Sequence, residues 1–384
     1  MASTSDAVIV GIGETRLGKR PGVTGVELQA EAVMAALRDA GLGKDDVDGL
    51  FNLGPYSNPS QMYAMTLSEY MGVRPAVQSS IDGGGSWTPI YMLANCIWAV
   101  QSGQCSVAVC TFGEAAATGR PVQGSGWTTS GARPEYEYPF GITGAVGPYA
   151  LIASRHMALY GTTPEDLGEI AMSARRHAAL NDNAVRQTLF TMDDYLASRM
   201  VASPLRLFDC STMVDGAGAV VVTSPERAAD LPNHPVSISG FAARTSHRTV
   251  GQFVDLDQIE LREVAERAMG RAGISLHDVD VAEIHDAFTI STLIYLEEMG
   301  FCRRGEGGDY VREGRIDLGS RCPVNTHGGL LSQGHVAGFL HVTEAVRQLR
   351  HDAGAAQVAD AEVAMVAGNG GILGTNAVMI LGRS

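Results

Sequence analysis

The chain has 384 residues, 45% of them hydrophobic and 18% charged, and carries a formal net charge of −14. That length allows two or three domains with sizeable cores, and the composition is globular rather than disordered. The acidic balance argues against nucleic acid and against an anionic membrane surface, since both call for clustered Lys and Arg.

The first residues, MASTSDAVIVGIGE, show no basic region followed by a long apolar run. No stretch reaches the ~20 apolar residues of a membrane span. The six cysteines (Cys96, Cys105, Cys110, Cys210, Cys302 and Cys322) form no CxxC pair, and no His cluster completes a zinc spacing. These features predict a reduced, cytoplasmic protein whose cysteines act as small buried hydrophobes.

Ala7–Gly11 (AVIVG) reads as a buried strand ending at a glycine. Val26–Ala40 follows with apolar residues at helical spacing and Gly41 as a stop signal. Asp48–Asn52 starts the next strand, Ile90–Ser102 is an apolar helix, and Ser106–Thr111 is another buried strand. Such alternation predicts an α/β fold. A long segment, about 113–207, interrupts this plan, with a Gly-, Ser- and Thr-rich run (Gly119–Gly131) and helices predicted over Ala145–Tyr160 and Pro164–Leu180. An insertion of this size is expected to cover a substrate.

The plan then restarts. Ala40–Asp48 (AGLGKDDVD) aligns with Ala272–Asp280 (AGISLHDVD), and Ser106–Thr111 resembles Glu362–Ala367. Two matches in the same order predict an internal duplication. Its halves span residues 1–230 and 231–384, joined by the pattern-breaking segment Pro225–Pro235, before the strand Val236–Gly240.

Four loops can carry chemistry. Gly83-Gly84-Gly85-Ser86 precedes a helix, where Ser86 can cap the helix or act in catalysis. Glu283–Phe288 places His285 at a strand end. Asn325–Gly338 holds His327 and His335 within a glycine-rich loop, either as solvated residues or as acid–base groups. Gly368–Gly374 (GNGGILG) follows the last buried strand and is no dinucleotide fingerprint; Gly11-Ile12-Gly13 lacks the third glycine of one.

Taken together, these loops resemble the thiolase superfamily over almost the whole chain, most closely the branch of sterol-carrier-type thiolases and lipid-transfer-like aldolases. HDAF at His285–Phe288 is similar to that branch's HDCF motif, and NTHGGLLSQGHVAG to its N-x-x-GG-x-x-x-x-GH loop. Pro204–Cys210 (PLRLFDC) and Asp215–Ala217 (DGA) resemble further family segments. The resemblance implies two α/β halves in a five-layered α-β-α-β-α arrangement, a homodimer joined through the half containing Gly83–Gly85, and an acyl-CoA substrate. It implies no bound cofactor, coenzyme A being part of the substrate. It also implies a small OB-fold, zinc-containing partner protein.

By the same resemblance His335 matches the activating His of the GH motif, His285 the oxyanion-hole His, and Ser86 the position of the nucleophilic Cys. Gly329, Gly334, Asn369 and Gly370 fall in its substrate-binding loops. Three departures bear on mechanism: Ser86 and Ala287 replace cysteines of the motifs, and Gly368 replaces the second catalytic Cys of biosynthetic thiolases. The aldolases of the branch carry Tyr where His285 and His335 stand. Retro-aldol cleavage of a 3-hydroxyacyl-CoA needs no covalent intermediate and is the expected reaction. Acyl transfer through Ser86, as in acetyl-CoA acetyltransferases, and a non-catalytic acyl-CoA-binding subunit are the alternatives. His335 is expected within hydrogen-bond reach of Ser86, or of a water between them.

Overall fold

The computed structural model describes residues 7–119, 132–142, 144–256 and 258–384. Apart from Gly119, the run Gly119–Gly131 lies outside the described residues.

Strand β1 (Val8–Glu14) runs past Gly11, the predicted end. A Cβ at Gly11 or Gly13 would come within 2.3 Å of a carbonyl oxygen of helix α1 (Gly25–Asp39). The missing side chains therefore let α1 lie directly on the strand. Thr24 and Glu27 form a reciprocal capping box that starts α1, a device worth about 1 kcal/mol. There follow β2 (Gly49–Asn52), α2 (Tyr63–Met71), β3 (Val77–Ser80), α3 (Trp87–Gln101) and β4 (Val107–Ala115). The insertion contributes α4 (Val146–Tyr160) and α5 (Pro164–Ala178). Strand β5 (Asp215–Thr223) ends this set, and β6 (Val236–Thr245), α6 (Leu261–Ala272), β7 (Val281–Ile284), α7 (Thr289–Glu298), α8 (Phe339–Arg350), β8 (Val363–Gly370) and β9 (Thr375–Arg383) form the next.

The nine strands lie in the order β3-β2-β4-β5-β1-β6-β9-β8-β7. In the first set β2–β4 is parallel and both β4–β5 and β5–β1 are antiparallel. In the second, β7–β8 is parallel and both β8–β9 and β9–β6 are antiparallel. The same order and the same pairing senses thus occur twice. The sets meet through the Val8–Ser237 and Ile9–Val236 pairs. The repeated D-V-D turn does the same work in each: Asp48 accepts the amides of Ser106 and Val107, and Asp280 those of Glu362 and Val363, at 2.7–2.9 Å.

Helices α3 and α8 touch strands of both sets, while α1 covers the outer face of the first and α6 that of the second. The result is a five-layered stack. Most of α3 is buried, as its nearly all-round apolar sequence predicts, but Trp98 is 48% exposed and rests edge-on against Tyr91 and Phe241.

Candidate functional site

The last residues of β7 and β8 bring two of the loops together. The His285 amide donates to Ala367 O at 2.9 Å. Asn325, with φ +54°, clamps the end of β7 by exchanging side-chain hydrogen bonds with the N–H and C=O of Ile284 (2.7 and 2.9 Å). Asp286 is buried. It accepts Leu330 N at 2.8 Å, Leu331 N at 3.3 Å and His341 Nε2 at 3.2 Å. Burial alone would raise its pKa, but these bonds and the His341 charge lower it. Asp286 therefore anchors the π-helical turn Gly329–Gln333. Two residues on, the His335 amide is fixed to Thr212 O at 2.8 Å.

Ser86 immediately precedes α3 but makes no capping bond. Its Oγ lies 2.6 Å from His285 Nδ1 and accepts the Asn369 amide at 3.2 Å. With the Ser86 hydroxyl as donor to Nδ1, the proton of a neutral imidazole stands on Nε2, a tautomer assigned from the network. Nε2 is buried and has no protein partner. Burial pushes the pKa of His285 down to about 3 and that of His335 down as well, so both rings are neutral near neutrality.

His285 and His335 share the wall of a cavity of about 500 Å³. Phe112, Val146, Tyr149, Met213 and Phe288 make that wall largely apolar, and Asn369 joins it. Ala116, Val146, Tyr149 and Val201 come from the insertion, which thus walls the cavity. A larger hollow of about 820 Å³ lies beside the Pro225–Pro235 segment, far in chain order from these loops, and holds neither histidine. Cys210, the cysteine of the cavity wall, is raised to about 12 by burial and by the Asp209 charge, so it stays a thiol.

The predicted site residues fall into two groups. Ser86, His285, His335 and Asn369 meet at or just behind one wall. The partner of Ser86, however, is His285 and not the expected His335. Gly329, Gly334 and Gly370 do not line the cavity. A Cβ on Gly329 would strike Asp286, one on Gly334 would strike Val214, and one on Gly370 would meet Gly83 O at 1.9 Å. These glycines allow loops to pack on one another. His327, the other histidine of its loop, is buried with Nδ1 2.8 Å from Glu283 Oε2. Burial lowers its pKa, but the Glu283 charge prevails and the net shift is upward.

The departures from the cysteine motifs also have a geometry. A Cβ at Gly368 would lie 2.1 Å from Ser86 O, and one at Gly338 2.3 Å from Ser86 Cβ. No side chain, thiol or otherwise, fits at 368. Sequence reading missed Tyr149. Its hydroxyl accepts Asn369 Nδ2 at 3.0 Å and its ring stacks on Phe288 at 4.4 Å. No spacing ties it to a loop 220 residues away.

Residues 242–383 match the family described as Thiolase C-terminal domain-like. The chain is 36% identical to the 17-hydroxy-3-oxo-4-pregnene-20-carboxyl-CoA lyase of Mycobacterium tuberculosis, over 90% of this chain and 92% of the relative. The chain belongs to the thiolase superfamily. A steroid side-chain-cleaving aldolase of Thermomonospora curvata is 34% identical over 90% of each chain. The Ltp2-ChsH2(DUF35) aldolase superposes with a TM-score of 0.88 at 33% identity, covering 99% of this thiolase-superfamily chain and 98% of that one. The superfamily and the aldolase branch expected from the four loops are borne out, as is the thiolase fold.

Proposed function

We propose that this enzyme cleaves the Cα–Cβ bond of a bulky 3-hydroxyacyl-CoA, of the size of a steroid side-chain thioester, by a retro-aldol reaction. The observation that carries this reading is the cavity itself: a largely apolar chamber with two neutral histidines and Glu114 on its wall and, among the described residues, no thiolate. The names of the two relatives support the substrate class.

His335 removes the proton of the β-hydroxyl. The Cα–Cβ electron pair moves onto Cα, a carbonyl forms at Cβ, and the thioester becomes an enolate. His285 Nε2–H donates to the enolate oxygen, and Ser86 holds His285 in the tautomer that can do so. The proton on His335 then returns to Cα, so no proton is gained or lost and no free CoA is consumed. The CoA moiety belongs to the substrate, and no step calls for a bound cofactor.

The 2.6 Å contact between Ser86 and His285 also has the form of a nucleophile–base pair, which favours acyl transfer as a second reading. Three features weigh against it. Ser86 is not part of the cavity wall. His285 is a very weak base. Its Nε2 has no acidic partner to orient it.

We also propose a homodimer in the cytoplasm. Among the described residues no helix is long and apolar enough to cross a membrane. A small OB-fold, zinc-containing partner fits the pairing named in the Ltp2-ChsH2(DUF35) aldolase. The deciding experiment is mass spectrometry of products from a panel of steroid-sized 3-hydroxyacyl- and 3-oxoacyl-CoA thioesters, with and without free CoA. Cleavage of the 3-hydroxy compounds without added CoA is the expected result; cleavage of 3-oxo compounds that needs CoA would replace it with thiolysis.

A further inference from the structure

Tyr149 stands on α4 with its ring on Phe288 and its edge in the cavity. Its oxygen accepts a hydrogen bond from Asn369 Nδ2 at 3.0 Å. Since the oxygen is the acceptor in that bond, the hydroxyl has its own O–H left to give. Asn369 ties this group to the rest of the site, because its amide donates to Ser86 Oγ while its side chain donates to Tyr149. A single network, Tyr149–Asn369–Ser86–His285, therefore leaves over two donors, the Tyr149 O–H and His285 Nε2–H. Both residues face the same cavity. Burial keeps the phenol protonated, raising its pKa to about 12.

We propose that the Tyr149 hydroxyl contacts the substrate and, together with His285 Nε2–H, binds the oxygen of the thioester enolate. This rests on the retro-aldol reading above. Two fixed donors around one oxygen stabilise charge that appears only in the transition state, and they need no reorganisation when it does. Asn369 acts as a positioning residue, holding Tyr149 and Ser86 at once.

Tyr149→Phe keeps the ring on Phe288 and removes the donor. In this variant kcat on a cleaved 3-hydroxyacyl-CoA should fall about 10²–10³-fold with little change in KM. The decisive arm is binding of two CoA thioethers. One carries a nitroalkyl group whose nitronate form copies an enolate; the other carries the matching neutral alkyl group. The variant should bind the nitronate about 10²-fold more weakly than the wild type and the neutral thioether equally well. Equal loss of both would assign Tyr149 to shaping the cavity, and no loss of either would remove it from the site; each overturns the proposal. Failure of the wild type to cleave any 3-hydroxyacyl-CoA overturns the retro-aldol reading instead, while the nitronate comparison still decides the role of Tyr149.

Discussion

A serine that caps a helix takes an extended backbone, so that its hydroxyl can fold back onto the amides of the first turn. Ser86 has φ −77° and ψ −3°, already helical, and its hydroxyl is directed to His285 instead. The triple glycine and the helix were legible in the chain; the backbone angles that decide between cap and site were not. The consequence for function is graded. His335→Ala should reduce kcat by about 10²–10⁴-fold, the usual loss for a general base. Ser86→Ala should cost less, about 10–10²-fold, since it frees the His285 tautomer without removing a donor. Equal and complete loss in both, or an acyl adduct on Ser86 by mass spectrometry, would show the serine to be the nucleophile. The pH dependence follows from the same rings. His335 must be neutral to act, and burial lowers its pKa below 6.5, so the acid limb of kcat/KM should lie below that value. Stability carries a related sign. His285 binds a proton near 6.5 when unfolded but only near 3 when folded, so the unfolded state holds more protons between those values. Stability should therefore fall as the pH drops from about 7 to about 5, and His285→Gln should flatten that slope. His327 shifts the other way, which makes the comparison of slopes, rather than the wild-type curve alone, the useful measurement.

At the scale of elements, what the chain made legible was periodicity and repetition. The apolar helices at Gly25–Asp39 and Trp87–Gln101 and the paired D-V-D turns all appear where hydrophobic spacing put them, to within a few residues. What stayed hidden was which side of a glycine-rich loop faces the cavity. Gly329, Gly334 and Gly370 sit in the right loops but meet Asp286, Val214 and Gly83, because loop-on-loop packing demands glycine as much as substrate contact does. Asp286 shows the same division of labour: His285 turns to the cavity, and its neighbour holds the Gly329–Gln333 turn from behind. Asp286→Ala would leave the Leu330 and Leu331 amides and His341 without their acceptor in a buried place. The expected cost is about 3–5 kcal/mol of folding stability, measured by chemical denaturation. Activity should fall as well, because the turn leads directly to His335. A stability change below about 1 kcal/mol would mean that water replaces the carboxylate and that the turn is held by other contacts.

At the scale of the whole molecule, the described residues leave an open sheet edge that bears on assembly. The family resemblance implies a dimer through the half containing Gly83–Gly85, where glycines suit the close approach of two backbones. In the structure the backbones that meet are both within this chain: Gly84 approaches Gly371, Gly85 approaches Asn369 O, and the Trp87 ring fills the space beside Gly83. The glycines therefore bring the two halves together and do not by themselves argue for a second copy. The better argument lies next to them. Strand β3 is the outer strand of the sheet, bonded to β2 on one side only. The amides of Val77 and Ile81 donate inward to Asp48 O and Asn52 O. In a parallel pair the alternate amides point the other way, so those of Gln78 and Ser80 face outward. Gln78 and Ser80 are themselves exposed, and no Pro or Lys blunts the strand. An unprotected edge of this kind pairs readily with another strand. Tyr70, 55% exposed on the adjoining α2, adds apolar surface beside it. The prediction is that the wild type sediments as a dimer at micromolar concentration, with β3 pairing to β3 of a second copy. Gln78→Pro removes an outward amide while leaving the inward bonds of Val77 and Ile81 intact, and it should shift the protein toward monomer. A wild type that sediments as a monomer, or a Gln78→Pro variant that stays dimeric with unchanged affinity, would place the contact elsewhere or remove it.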